Sequence, residues 1–269
     1  IDLKNVSLHY DDQVLGIDLI AGWKEIRIEA DRFDLNKMDF GIQNVLIDHA
    51  NIIYLQTHPF PPSEEVDTLS VSPLPLLVLD MVEIHNSKME YTSTPDGIST
   101  RMNIGDLFLS LPEANLEENK IMLKSLALSD SKIDLRINPD DIGQNVEPSQ
   151  ESVPFLWPDW WVEVGSLKLE NDQFNFYSGD GVVKKGVFNP EAITLSKLNL
   201  QAHSLFLKDQ KAKAAIDDFS LIEGSGLELQ TLKAKLEADD NKFNIEGIDV
   251  QTGKSLLKGD FLITYQSLD

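Results

Sequence analysis

One short phrase recurs along this chain and constrains its fold more than any other feature. It reads apolar-x-apolar, a brief polar or small connector, then apolar-x-apolar again. Val45 and Ile47 lead to Ile52 and Tyr54, and Val82 and Ile84 lead to Met89 and Tyr91. Leu126 and Leu128 lead to Ile133 and Leu135, and Leu167 and Leu169 to Phe174 and Phe176. Leu198 and Leu200 lead to Leu205 and Leu207. Each half has the period of two that marks a strand with one apolar face. Copies stand roughly 20 to 45 residues apart, a loose array rather than a strict solenoid. One unit cannot bury its apolar face alone, so stacked units are expected to share one sheet with a continuous apolar side. That side is the candidate functional surface, and the residues just named are its candidate lining.

Alternation of the same kind begins at Leu3, Val6 and Leu8 and continues through Ile26 and Ile28, with Lys24, Glu25, Arg27 and Glu29 interleaved. It persists after Ala214, through Leu232 to Leu236, Phe243, Ile245 and Phe261 to Tyr265. Turns are expected at Asp11-Asp12, Gly22, Asn36-Lys37, Thr94-Pro95-Asp96-Gly97 and Ser178 to Gly181, with Phe33 and Leu35 opening a strand. His58-Pro59-Phe60-Pro61-Pro62 cannot hold a ladder, because proline lacks the amide donor. Residues 57–75 and 138–154 are therefore expected as long loops. They separate strand blocks 1–56, 76–137 and 155–269 of one continuous repetitive β array spanning 1–269. Pro112 to Ser125 has room for a turn or two of helix. About sixteen to eighteen strands are expected, and at about 4.8 Å apart they would make a sheet about 80 Å wide. Sheets of that size curl, split or close. The expected class is all-β: a long, mostly antiparallel twisted sheet curled into a U-shaped trough. A β-sandwich is the alternative, since alternation is the same whether a second sheet or something else covers the apolar face.

Composition narrows the partners. The 269 residues carry a formal net charge of −22, whose field repels phosphates and argues against nucleic acid. There are no cysteines, so disulfides and thiolate chemistry are excluded. The longest apolar run, Leu74 to Val82, is cut by Pro75 and Asp80, well short of the roughly 20 residues a spanning helix needs. The sequence starts at Ile1 without an initiator Met and reads as an internal fragment or processed product.

Catalytic patterns are weak. No two of His9, His49, His58, His85 and His203 stand at metal-ligand spacing, and His49 and His85 read as solvated connector residues. Ser225 lies in Glu223-Gly224-Ser225-Gly226 without the flanks of a nucleophile elbow, and Gly253-Lys254-Ser255 lacks the upstream glycine of a phosphate loop. Asp11-Asp12, Asp140-Asp141, Asp217-Asp218 and Asp239-Asp240 read as turn pairs whose side chains diverge, unlike the convergent acids of a glycosidase. No enzyme, metal or cofactor is expected. The aromatic run Phe155-Leu156-Trp157-Pro158-Asp159-Trp160-Trp161 is the one local oddity, and it is expected to plug an end of the apolar face.

A family likeness rests on Trp160-Trp161-Val162-Glu163-Val164-Gly165-Ser166-Leu167-Lys168-Leu169-Glu170-Asn171-Asp172-Gln173-Phe174-Asn175-Phe176, continuing through Phe188-Asn189-Pro190 to Leu198-Asn199-Leu200-Gln201-Ala202. In that order these phrases resemble TamB proteins of the Bacteroidetes type, within the AsmA-like group. The upstream units Val82 to Tyr91 and Leu126 to Leu135 are similar to the same proteins' repeats. The resemblance is diffuse and covers most of the chain. It implies the periplasmic part of a protein anchored in the inner membrane by an N-terminal helix absent from this fragment. It also implies a trough that solvates phospholipid acyl chains on their way to the outer membrane. An Omp85-type outer-membrane barrel, met through a C-terminal part that is missing here, is the implied protein partner. The alternatives are a non-catalytic scaffold that binds client strands at its edges and an extracytoplasmic β-sandwich enzyme.

Overall fold

A computed structural model describes residues 1–60, 73–138 and 156–265. These residues form one continuous mixed sheet with no helix. The strands are β1 (Asp2–Asp12), β2 (Ile17–Asp34), β3 (Asp39–Asp48), β4 (Asn51–Gln56), β5 (Leu76–Ser93), β6 (Ile98–Asn115) and β7 (Lys120–Ser129). They continue as β8 (Lys132–Ile137), β9 (Trp161–Ser178), β10 (Ala192–Lys208), β11 (Lys211–Glu223), β12 (Glu228–Ala238), β13 (Lys242–Thr252) and β14 (Leu256–Thr264). The order across the sheet is β1-β2-β3-β5-β6-β7-β9-β10-β11-β12-β13-β14. β4 continues the line of β3 between β2 and β5, and β8 continues the line of β7 between β6 and β9. The sheet is curled but not closed: β1 and β14 are its two free edges.

Most neighbours are antiparallel hairpins. The exceptions are the β3–β4 line beside β5 and the β7–β8 line beside β9, which run parallel. In both cases the chain leaves the sheet at one end and re-enters at the other. Leu76 lies beside Asp39, and Trp161 beside Lys120. Each parallel pair requires a crossover connection. Of the segments expected as long loops, residues 61–72 and 139–154 lie outside the described residues.

Several local expectations are corrected. Among the described residues there are fourteen strands, against the sixteen to eighteen expected of the whole chain. β2, β5, β6 and β9 each run for 18 residues, about 60 Å, where alternation with a polar gap had suggested two short strands. β2 passes straight through Gly22 and ends beyond Phe33, so neither residue turns or opens a strand, and Leu35 lies in the following turn. The segment expected to hold helical turns is the end of β6, a tight turn at residues 116–119, and the start of β7. Its polar and apolar residues simply continue the strand alternation of both neighbours.

The polar gap inside each repeated phrase is a crease that crosses the strands side by side. Asn5, His49, Asn86, Asp130, Asn171 and Lys197 adopt left-handed φ values between 47° and 56°. Register sets His49 beside Asn86 and Asp130 beside Asn171. A left-handed residue reverses the side-chain alternation, as in a bulge. The reversal explains why Val82 and Ile84 share a face with Met89 and Tyr91 although their sequence parities differ. Amides freed at the crease are capped from the next strand. Ala50 N donates to Ser87 Oγ (3.0 Å), Gly105 N to Ser131 Oγ (3.0 Å), Ser131 N to Asp172 Oδ1 (2.8 Å) and Asn171 N to Asn199 Oδ1 (2.9 Å). β6 crosses the crease with Gly105 instead, where a Cβ would lie 2.6 Å from the Ser129 carbonyl oxygen.

Candidate functional site

Registering the strands assembles the apolar phrases into rows. On one side of the crease Ile28, Val45, Val82, Leu109, Leu126, Leu167 and Ala202 stand abreast, as do Ile26, Ile47, Ile84, Leu107, Leu128, Leu169 and Leu200. On the other side Ala21, Ile52, Met89, Met102, Ile133, Phe174 and Leu195 form a third row. Leu19, Tyr54, Tyr91, Thr100, Leu135, Phe176 and Ile193 form a fourth. The Tyr54 and Tyr91 rings stack at 5.3 Å, nearly parallel.

Burial identifies this as the enclosed face. Val82 is 8% exposed while its neighbour Met81 is 47% exposed. Across the crease Ala21 is 7% exposed and Ile20 is 42% exposed. Enclosure stops well short of a core. Among the described residues the buried hydrophobics are six alanines, Val82 and Leu111, and the largest side chain that is fully buried is Ser93. The other Leu, Ile, Phe, Met and Tyr residues of the four rows are only half-buried. No second sheet packs on the face, so the β-sandwich alternative does not describe these residues.

The opposite face carries polar pairs across the strands. Lys24 binds Asp48 at 2.9 Å, Arg101 meets Glu90 at 3.1 Å and His203 meets Asp217 at 2.8 Å. His85 lies in β5, not in a solvated connector, and contacts Asp106 at 2.6 Å and Glu83 at 3.2 Å. Hydrogen bonding to Asp106, aided by Glu83, raises its pKa above the usual histidine value against the opposing effect of burial. Lys24 holds Asp48 below the usual carboxylate range. The crease contains the buried carboxylate of Asp172, 2% exposed, whose pKa burial pushes up even though it accepts the Ser131 and Glu170 amides.

The β10 residues of the repeated phrase are spread along the strand rather than matched to the phrase of β9. Leu200 faces Leu169, but Leu198 sits opposite Asp172 at the crease, and Leu205 and Leu207 face Val164 and Val162 beyond the four rows. β10 runs antiparallel to β9, so the forward phrase of β10 cannot match the forward phrase of its neighbour. Ile193, Leu195 and Ala202 take those places. The β6 residues Thr100, Met102, Leu107 and Leu109 also line the face. Their even-then-odd alternation was the available signal, but β6 lacks a left-handed connector and has Gly105 where other strands have polar residues.

The remaining candidates lie in turns or inside strands. Ser225 Oγ donates to Glu223 in a hairpin turn, and Gly253-Lys254-Ser255 turns β13 into β14. Asp217 and Asp218 lie inside β11 rather than in a turn, at a bulge where the register against β10 shifts between Gln201 and Ala202. Asp140-Asp141 and Phe155 lie outside the described residues. Trp161 begins β9 with its ring 3.5 Å from Lys208 Nζ and 4.5 Å from Lys120 Nζ, and its Nε1 donates to Glu163. Ser204 (φ 54°), beside Gly165, reverses the alternation a second time and sets Trp161 with Lys120 and Lys208 on the face opposite Val162 and Leu207, so it does not plug the apolar face.

No family model, curated protein or solved structure matches this chain.

Proposed function

We propose that the enclosed face is a groove that solvates the acyl chains of phospholipids, in the periplasmic part of a TamB/AsmA-like, inner-membrane-anchored protein. The observation that carries this reading is the open apolar face itself. Four uncharged rows run from β2 to β10 with large side chains half-covered, and no element among the described residues covers them. Each methylene that moves from water onto such a face contributes about 0.8 kcal/mol. The groove acts through apolar contact alone, and transport towards the outer membrane with an Omp85-type partner follows from the family reading. Native mass spectrometry of the purified chain should find co-purifying phospholipid. Leu128→Glu or Leu169→Glu should remove it, and Ala127→Glu on the outer face should not. A lipid-free wild-type chain, or normal loading of a folded Leu128→Glu variant, would refute the groove.

A second reading is supported by β14. Leu256, Leu262 and Ile263 are 63%, 63% and 57% exposed on a strand whose outer edge has no partner strand among the described residues. Such an edge accepts a client strand by β-augmentation. Photocrosslinkers at Leu262 and at Leu128 separate the readings, since the first should capture protein and the second lipid.

A further inference from the structure

The two lips of the groove are chemically different, and this says which way a lipid lies. One lip is formed by the start of β3 and its neighbours. Its inward row is Phe33, Phe40, Leu77, Ala114, Ile121, Val162 and Leu207, with no polar side chain. Phe33 and Phe40 meet edge to face at 5.2 Å. The other lip is formed by the ends of β4 and β5 and the start of β6. Its inward side chains are Tyr54 and Gln56, Tyr91 and Ser93, and Thr100 and Ile98.

That second lip is an ordered polar edge. Tyr54 OH donates to Gln56 Oε1 (3.4 Å), and Gln56, 3% exposed, donates from Nε2 to the His58 carbonyl (3.0 Å). Ser93, 1% exposed, donates to Asp96 (2.6 Å). The ring stack fixes the Tyr54 and Tyr91 hydroxyls side by side, immediately above the apolar row of Ile52, Met89 and Met102.

Resting on the groove reading, we infer that Tyr54 and Tyr91 contact the head and glycerol-ester region of a zwitterionic glycerophospholipid whose acyl chains lie along the strands. Phenolic hydroxyls donate to phosphate and ester oxygens without adding charge. The formal net charge of −22 disfavours an anionic head. Lengths agree. Tyr54 to Phe40 spans 14 residues of the β3–β4 line, about 46 Å. An acyl chain fills about 15 Å, half the hydrocarbon core of a bilayer. A head at the tyrosine lip therefore lays its tails across Ile52 and Met89 and ends them at the crease, near Ala50 and Ser87, short of the Phe40 lip.

The test uses the full chain, a fluorescent phosphatidylethanolamine, and phenylnaphthylamine as a headless apolar probe. The double variant Tyr54→Phe, Tyr91→Phe keeps the stacked rings and removes only the hydroxyls. It should weaken the phospholipid about tenfold and leave the headless probe unchanged. Unchanged phospholipid binding, or equal loss of both ligands, overturns the inference. Glycerophosphoethanolamine alone should not compete; competition would mean a site for free phosphodiester uncoupled from the groove. Leu128→Glu should weaken both ligands. If it affects neither, the groove reading itself fails, a result distinct from any outcome of the tyrosine variants.

Discussion

Replacing Asp172 tests whether the crease is held by side-chain caps. Its two carboxylate oxygens accept the Ser131 amide at 2.8 Å and the Glu170 amide at 3.1 Å. Ser131 is 2% exposed, so its amide has no access to water once the carboxylate is gone, whereas Glu170 is exposed and its amide can be rehydrated. An orphaned buried N–H costs about 1–3 kcal/mol, and bonds to a charged acceptor are worth about 1.5–3 kcal/mol. Removing a desolvated carboxylate gives part of this back. Asp172→Ala should therefore lose about 2–3 kcal/mol, read as a fall of about 1 M in the urea midpoint. Asp172→Asn keeps one acceptor oxygen and should lose about half as much. The pH dependence has a definite sign. A carboxyl whose pKa is raised in the folded state binds its proton more tightly there. Its contribution to stability is complete below the ordinary aspartate value and falls as pH rises to the raised one. That fall should disappear in Asp172→Asn. A midpoint for Asp172→Ala within about 0.2 M of wild type would show that the crease does not depend on this cap.

Gly105→Ala pushes a methyl against the Ser129 carbonyl at 2.6 Å and should destabilise by about 1–3 kcal/mol in the same titration, with the damage localised by hydrogen exchange to β6 and β7. The His85 ring should titrate by NMR above the usual histidine value. The stability it supplies is complete below that value and fades as pH rises through the raised one. Asp106→Asn should abolish the shift. Trp161→Ala should cost about 0.5–1 kcal/mol per ammonium contact through loss of Lys208 and Lys120 packing, with no effect on lipid loading, because the ring lies on the outer face.

Alternation is a local property, and the sequence alone determined what depends on it. The pairs Val45/Ile47 through Phe174/Phe176 established strands with one apolar side, and the four units from Val45 to Phe176 align in register as repeats should. The connector between the two halves of each phrase was visible but its meaning was not. Whether four polar residues end a strand or reverse its faces depends on a left-handed residue at His49 or Asn86 and on caps such as Ser87 and Asp172 from another strand. Pairing partners far apart in sequence therefore decided the strand count, the parallel crossovers and the displacement of Leu198, Leu205 and Leu207 from the four rows. Tertiary structure alone also decided that no second sheet among the described residues covers the apolar side. A period of two records which side chains leave water, and only the assembled sheet records whether protein is what replaces it.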